Sequence, residues 1–184
     1  MNDKVKMLKG ELYNPNGDET LINERLTCKK MCFAFNNISP DLLEERKTFL
    51  RKIIKTSGIN VHIESPFNCD YGYNILVGEN FYANHNLVIL DPGEVKFGDN
   101  VFIGPNCGFY TAEHPLDSET RNIGVEYAKS IRVGNNVWFG GNVVVLGGVT
   151  IGDNVVVGAG SVVTKNIPNN VVVVGNPAKI IKNI

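Results

Sequence analysis

A six-residue period running through most of the chain constrains its fold more than any other feature. Hexads counted from Val133 read VGNNVW, FGGNVV, VLGGVT, IGDNVV, VGAGSV and VTKNIP in unbroken register. The pattern continues backwards through FGDNVF at Phe97, IGPNCG at Ile103 and FYTAEH at Phe109. It extends further to YGYNIL at Tyr71, VGENFY at Val77, ANHNLV at Ala83 and ILDPGE at Ile89, with weaker hexads from Ile59 and Ser65. An apolar first position, a frequent glycine at the second and a small or apolar fifth mark a parallel β-helix. Each hexad supplies a short strand and a corner, three hexads close a triangular coil, and coils stack at about 4.8 Å. First and fifth side chains then point inward. The breaks are Val95-Lys96 and the segment from Pro115 to Arg132. That segment is long enough for three hexads, but PLDSET, RNIGVE and YAKSIR lack the apolar first residue. It reads as an inserted loop, 115–132.

Second positions written three per coil fall into columns. Column one holds Gly72, Leu90, Tyr110, Leu146 and Thr164; column two Gly78, Gly98, Gly134 and Gly152; column three Asn84, Gly104, Gly140 and Gly158. Glycine there is expected to permit a corner conformation that a Cβ resists. Asn84 replaces glycine in its column either because asparagine tolerates a left-handed backbone or because it exposes an amide at the corner. Before the repeats the texture is helical. One run spans Thr20 to Phe35, and a second follows Ser39-Pro40-Asp41 with Leu42, Leu43, Phe49, Leu50, Ile53 and Ile54 on one face, ending near Gly58. The expected division is a helical segment, 1–58, and a β-helix, 59–184.

Lys plus Arg is 18 and Asp plus Glu is 19. A net charge of −1 argues against nucleic acid or a membrane surface as a partner. Four cysteines (Cys28, Cys32, Cys69, Cys107) show no CxxC pairing and no nearby histidine cluster. They predict no metal site and a reduced compartment. Cys28 and Cys32 read as small residues lining a helix face, and Cys69 and Cys107 as buried apolar residues at inward fifth positions. The first residues, MNDKVKMLKGELYN, lack an apolar signal region, and no run approaches 18 apolar residues. The expectation is a soluble cytoplasmic chain.

GELY (Gly10 to Tyr13), Phe35-Asn36, CDYGYN (Cys69 to Asn74), FYANHN (Phe81 to Asn86), TAEHP (Thr111 to Pro115), VWFGG and GNPAK together resemble the maltose/galactoside O-acetyltransferases. The resemblance covers nearly the whole chain. It implies a mainly β fold, a left-handed β-helix with an N-terminal α-helical segment, assembled as a homotrimer. It also implies acetyl-CoA as donor and a sugar-like hydroxyl (maltose, glucose or a galactoside) as acceptor. His114 matches the catalytic base of the T-x-x-H-P motif, and Asn84 and Asp70 match acceptor-binding positions. An acidic acceptor contact of relatives falls on Pro92, which shifts that role to Asp91. Gly141, Ala159, Thr164 and Lys165 match contacts along the CoA arm, and Lys179 and Lys182 match basic positions meeting CoA phosphates.

Acetyl transfer from a thioester to an alcohol needs a base for the hydroxyl, donors for the oxyanion and two substrates held in line. A neutral imidazole suits the first task. His85 reads as a packing or rim residue, Glu126 as a loop carboxylate that orients His114, meets substrate or is simply solvated, and outward-facing Trp138 as a trimer contact. The columns add an independent point. His114 ends a strand of column one and Asn84 begins column three, so a face of roughly four to five residues at about 3.3 Å each separates them. A site using both is therefore completed across a subunit interface. Other readings are an acetyltransferase for serine or an antibiotic, or a non-catalytic scaffold. A zinc enzyme of the γ-carbonic-anhydrase type needs three converging imidazoles, and His62, His85 and His114 do not occupy equivalent corners.

Overall fold

The computed structural model describes residues 2–56 and 58–184. It is a β-solenoid of about six turns with a helical cap. Three parallel faces wind around one core. Face one carries Phe67–Cys69, Leu87–Leu90, Gly108–Tyr110, Val144–Leu146 and Val162–Val163; face two carries Lys55–Thr56, Ile75–Val77, Val95–Phe97, Ile131–Val133 and Thr150–Ile151. Face three carries Val61–Ile63, Phe81–Ala83, Val101–Ile103, Val137–Phe139, Val155–Val157 and Val171–Val174, closed by the antiparallel strand Lys179–Asn183. Inward positions are buried throughout. Phe81, Phe97, Phe109 and Phe139 form a staircase with successive ring centroids 5.1, 5.0 and 5.2 Å apart, a spacing at which edge-to-face contact adds to burial.

The glycine columns have a different cause from the one expected. Gly104 has an ordinary backbone, but a Cβ on it would lie 2.6 Å from the Gly141 nitrogen. Close stacking of corners, rather than a special conformation, excludes a side chain there. The left-handed residue is the fourth of the hexad: Asn80, Asn86, Asn100, Asn106, Asn136, Asn142 and Asn154 all have φ between 52° and 63°. Their amides also stack. Asn60 donates to Asn80 at 2.8 Å, Asn80 to Asn100 at 3.0 Å and Asn100 to Asn136 at 3.2 Å. Asn84 is not left-handed, so its amide, not its backbone, distinguishes it. Gly72 leaves column one, because Cys69 pairs with Ile89 and puts Asp70 opposite Leu90. The lower coils repeat every 20 residues, the next every 18 and the last every 16, and the two extra residues of the lower coils displace the expected register. The excursion after the third coil holds a short helix, Ser118–Asn122, and returns at Ile131, which fills an inward position.

Three helices precede the coils: α1 (Asp3–Lys9), α2 (Glu19–Asn36) and α3 (Leu43–Ile53). The sequence reading had no counterpart for α1, which Asn2 caps at one end and left-handed Gly10 at the other. Asp18 caps α2 through the amides of Thr20 and Leu21. Ser39 and Asp41 bond each other in the turn before α3, which starts at Leu43 without a side-chain cap. The cap grips the first coil through backbone groups. Asn36 donates to the Phe67 carbonyl at 2.9 Å and accepts from its amide at 2.8 Å. Buried Arg46 donates to the carbonyls of Ile38 and Ile63 and to Ser65, with its guanidinium 4.6 Å from the Phe35 ring. Among the described residues no helix is long and apolar enough to cross a membrane.

Candidate active site

The inserted segment, the cap and the column-one corner enclose a cavity of about 430 Å³ whose lining includes Tyr13, Arg25, Asp70, His114 and Glu126. Ala112–Glu113 pairs antiparallel with Tyr127–Ala128 and carries His114 beyond the regular coil. Its Nδ1 lies 2.9 Å from the Val125 carbonyl. A carbonyl can only accept, so Nδ1 carries the hydrogen, and in the neutral ring the lone pair is on Nε2. Glu126 Oε1 lies 3.8 Å from Nε2, beyond direct hydrogen bonding and spaced for an oxygen to sit between them.

Glu126 is held from the cap. Tyr13 donates its hydroxyl to Oε2 at 2.7 Å, and the two backbones form an antiparallel bridge. Burial, reinforced by that carboxylate, pushes the Tyr13 hydroxyl far above its usual range, so it remains a donor. Arg25 on α2 donates to the Tyr71 hydroxyl at 2.9 Å and to Asn16 at 2.9 Å. Burial pushes Tyr71 up to about 12, against the pull of Arg25.

Asp70 lines the cavity with its carboxyl raised by burial and then by the charge of Glu126, while Arg25 and Lys29 oppose the rise. Asp91, expected to meet the acceptor, is fully buried and outside the cavity lining. Its Oδ1 accepts from the amides of Asp70 at 3.0 Å and Tyr71 at 2.9 Å, while Oδ2 has no partner. It positions Asp70 rather than contacting a ligand. Burial lifts its carboxyl to about 7, against the Tyr71 amide and with help from Asp70.

Asn84 stands elsewhere. It lines a surface cavity on face three with Tyr82, Phe102 and Trp138, and its Oδ1 accepts from the His85 amide at 2.7 Å. His85 Nδ1 meets the Ser65 carbonyl at 2.5 Å, a packing arrangement. The donor-side residues divide the same way. Gly141 and Ala159 follow Gly140 and Gly158 at the column-three corner, whereas Thr164 and Lys165 lie at the column-one corner and Lys179 and Lys182 are exposed on the last strand. One chain therefore brings together His114, Asp70 and Glu126, and leaves Asn84, Gly141 and Ala159 on another corner. Arg25 and Lys29 were missed. They stand one turn apart on α2, and only that spacing could have suggested that both line one cavity.

The hexapeptide β-solenoid with its helical cap places the chain among the hexapeptide-repeat acetyltransferases. Residues 6–58 match the maltose acetyltransferase hexapeptide capping motif, and residues 130–165 the bacterial transferase hexapeptide (six repeats). A maltose O-acetyltransferase from Clostridium difficile 630 is 50% identical with a TM-score of 0.98, over 100% of this chain and 98% of that one. A galactoside acetyltransferase in complex with coenzyme A is 41% identical with a TM-score of 0.95, over 100% and 91%. A hexapeptide-repeat acetyltransferase of Vibrio cholerae complexed with acetyl-CoA is 35% identical with a TM-score of 0.91, over 100% and 98%. The chain belongs to the maltose/galactoside O-acetyltransferase family.

Proposed function

We propose that the chain transfers acetyl from acetyl-CoA to a hydroxyl of a sugar such as maltose, glucose or a galactoside, with His114 as general base. The observation that carries this reading is the His114 ring: Nδ1 is tied to Val125 and Nε2 faces a cavity bordered by Asp70 and Glu126. The acceptor oxygen attacks the thioester carbonyl as Nε2 takes its proton. The tetrahedral oxyanion collapses, the C–S bond breaks, and the leaving thiolate receives that proton, giving the ester and CoA thiol. Asp70 and Glu126 accept hydrogen bonds from acceptor hydroxyls, a match to a polyol that needs acceptors at several points. Four free cysteines suit a reduced cytoplasmic setting.

The active unit in this reading is a homotrimer. Its support is the division of the site between two corners of one chain, joined to an outward stripe of Tyr82, Phe102 and Trp138 in register on face three. In a symmetric trimer the corner bearing Asn84, Gly141 and Ala159 meets the neighbour's His114 corner. The CoA arm lies between them, with Thr164 and Lys165 along it and Lys179 and Lys182 at the phosphates.

Thiol release from acetyl-CoA, measured across maltose, glucose, galactosides, serine and chloramphenicol, tests the proposal. Sugar-dependent release that falls by about 10²–10⁴-fold in His114→Ala, with the fold unchanged by circular dichroism, is expected. Release that survives in His114→Ala refutes the base. Release with serine or chloramphenicol alone refutes the sugar.

A further inference from the structure

Three cysteines from two distant stretches meet below the acceptor cavity. Cys28 and Cys32 stand one turn apart on α2, and Cys69 ends the first-coil strand that α2 covers. The Sγ atoms of Cys28 and Cys69 are 3.5 Å apart and those of Cys32 and Cys69 3.8 Å apart. All three sulfurs lie within 4.8 Å of one another, all are free, and all are buried. The absence of CxxC pairing and of a histidine cluster predicts no metal; folding nevertheless brings Cys69 to Cys28 from 41 residues away.

The two shorter edges, 3.5 and 3.8 Å, are close to those of a ligand set. A metal about 2.3 Å from each of three thiolates holds the sulfurs roughly 3.8–4.0 Å apart. Among the described residues no carboxylate or imidazole completes the group. Zinc in structural sites takes four ligands, whereas a buried donor set made only of thiolates selects a soft ion such as Cu(I). A cavity of about 320 Å³ reaches Cys32 and Cys69 from outside, and Lys29 and Asp70 both stand in its lining.

We propose that Cys28, Cys32 and Cys69 form a three-thiolate site for a soft monovalent metal ion, Cu(I), which ties the helical cap to the first coil. Each thiol that ligates gives its proton to solvent, and the ion does not change oxidation state. Cys69 adjoins Asp70 in the chain, so the site is read by metal binding itself and not by an activity assay.

The reduced full-length protein is titrated anaerobically with Cu(I) against a competing chelator, following thiolate-to-copper charge-transfer absorbance. One equivalent per chain is expected. Cys69→Ser should weaken binding by about 100-fold or more, whereas Cys107→Ser, whose thiol bonds the Gly140 carbonyl elsewhere in the core, should leave it unchanged. X-ray absorption of the copper-loaded wild type, which depends on no variant folding, should show three sulfur neighbours. Two sulfurs, nitrogen or oxygen neighbours, or binding unaffected by Cys69→Ser overturns the site. Displacement of Cu(I) by equimolar Zn(II) overturns the choice of ion.

Discussion

Glu126 and Asp91 are two carboxylates near one cavity with opposite tasks. Glu126 is anchored by the Tyr13 hydroxyl on one oxygen and leaves the other 3.8 Å from His114 Nε2, where the proposed reaction puts the acceptor hydroxyl. Glu126→Gln keeps the Tyr13 bond and removes the charge. A hydrogen bond to a charged group contributes about 1.5–3 kcal/mol, so the variant should lose about 10–100-fold in kcat/KM for the acceptor, with the KM for acetyl-CoA unchanged in steady-state kinetics. Asp91 lies under the cavity floor, its carboxyl lifted by burial to about 7. In the unfolded chain it titrates near its ordinary value of 3.8. Between about pH 4 and 7 the folded state therefore binds more protons than the unfolded state. Stability contributed by this group falls as pH rises through that window. Asp91→Asn removes that slope, and denaturant midpoints measured against pH for both proteins should diverge there and run parallel above pH 8.

At the scale of strands and corners, two side-chain rules hold the solenoid. Gly104→Ala must separate corners whose backbones are already in contact, so it should destabilise by about 1–3 kcal/mol, as overpacking does. Asn136 has φ 56° and accepts the Asn100 amide at 3.2 Å. Asn136→Ala should destabilise more than Asn136→Gly, because alanine in a left-handed backbone costs about 1–2 kcal/mol that glycine avoids. Both comparisons are read from urea midpoints. The hexad itself was plain in the sequence because its inward positions repeat with one chemistry, from Val77 to Val163. What was not plain arises where the coil changes length. The 20-residue lower coils displaced Gly72 from column one and put Asp70 opposite Leu90 in its place. A repeat also shows which residues recur without showing why, so a glycine excluded by its neighbour looked the same as a glycine needed for its dihedrals. Helix α1 is too short for periodicity to reveal it. The place of His114 at the end of a repeat, before the excursion, was legible, whereas Arg25 and Lys29 reach the cavity only through the packing of α2 on the first coil.

On the whole molecule, Tyr82, Phe102 and Trp138 make face three an outward aromatic surface, with Phe102 49% and Trp138 56% exposed. An apolar stripe of this kind marks a contact surface, and the proposed trimer covers it. Trp138→Asp should leave the far-ultraviolet circular dichroism intact, shift the species to monomer in light scattering, and abolish acetyl transfer because His114 then lacks its partner corner. The two ends of the solenoid are closed by different means. Side chains of Asn36 and Arg46 occupy backbone groups of the lowest coil, and an antiparallel strand lies along the highest. A stack of parallel coils has no internal reason to stop: each terminal rung is a template for another rung, from its own chain or from any other. The helical cap is thus also a terminator. A chain cut before Lys55 would expose a naked rung free to pair with that of a second copy, so the helices that wall the cavity also keep the solenoid from gaining rungs.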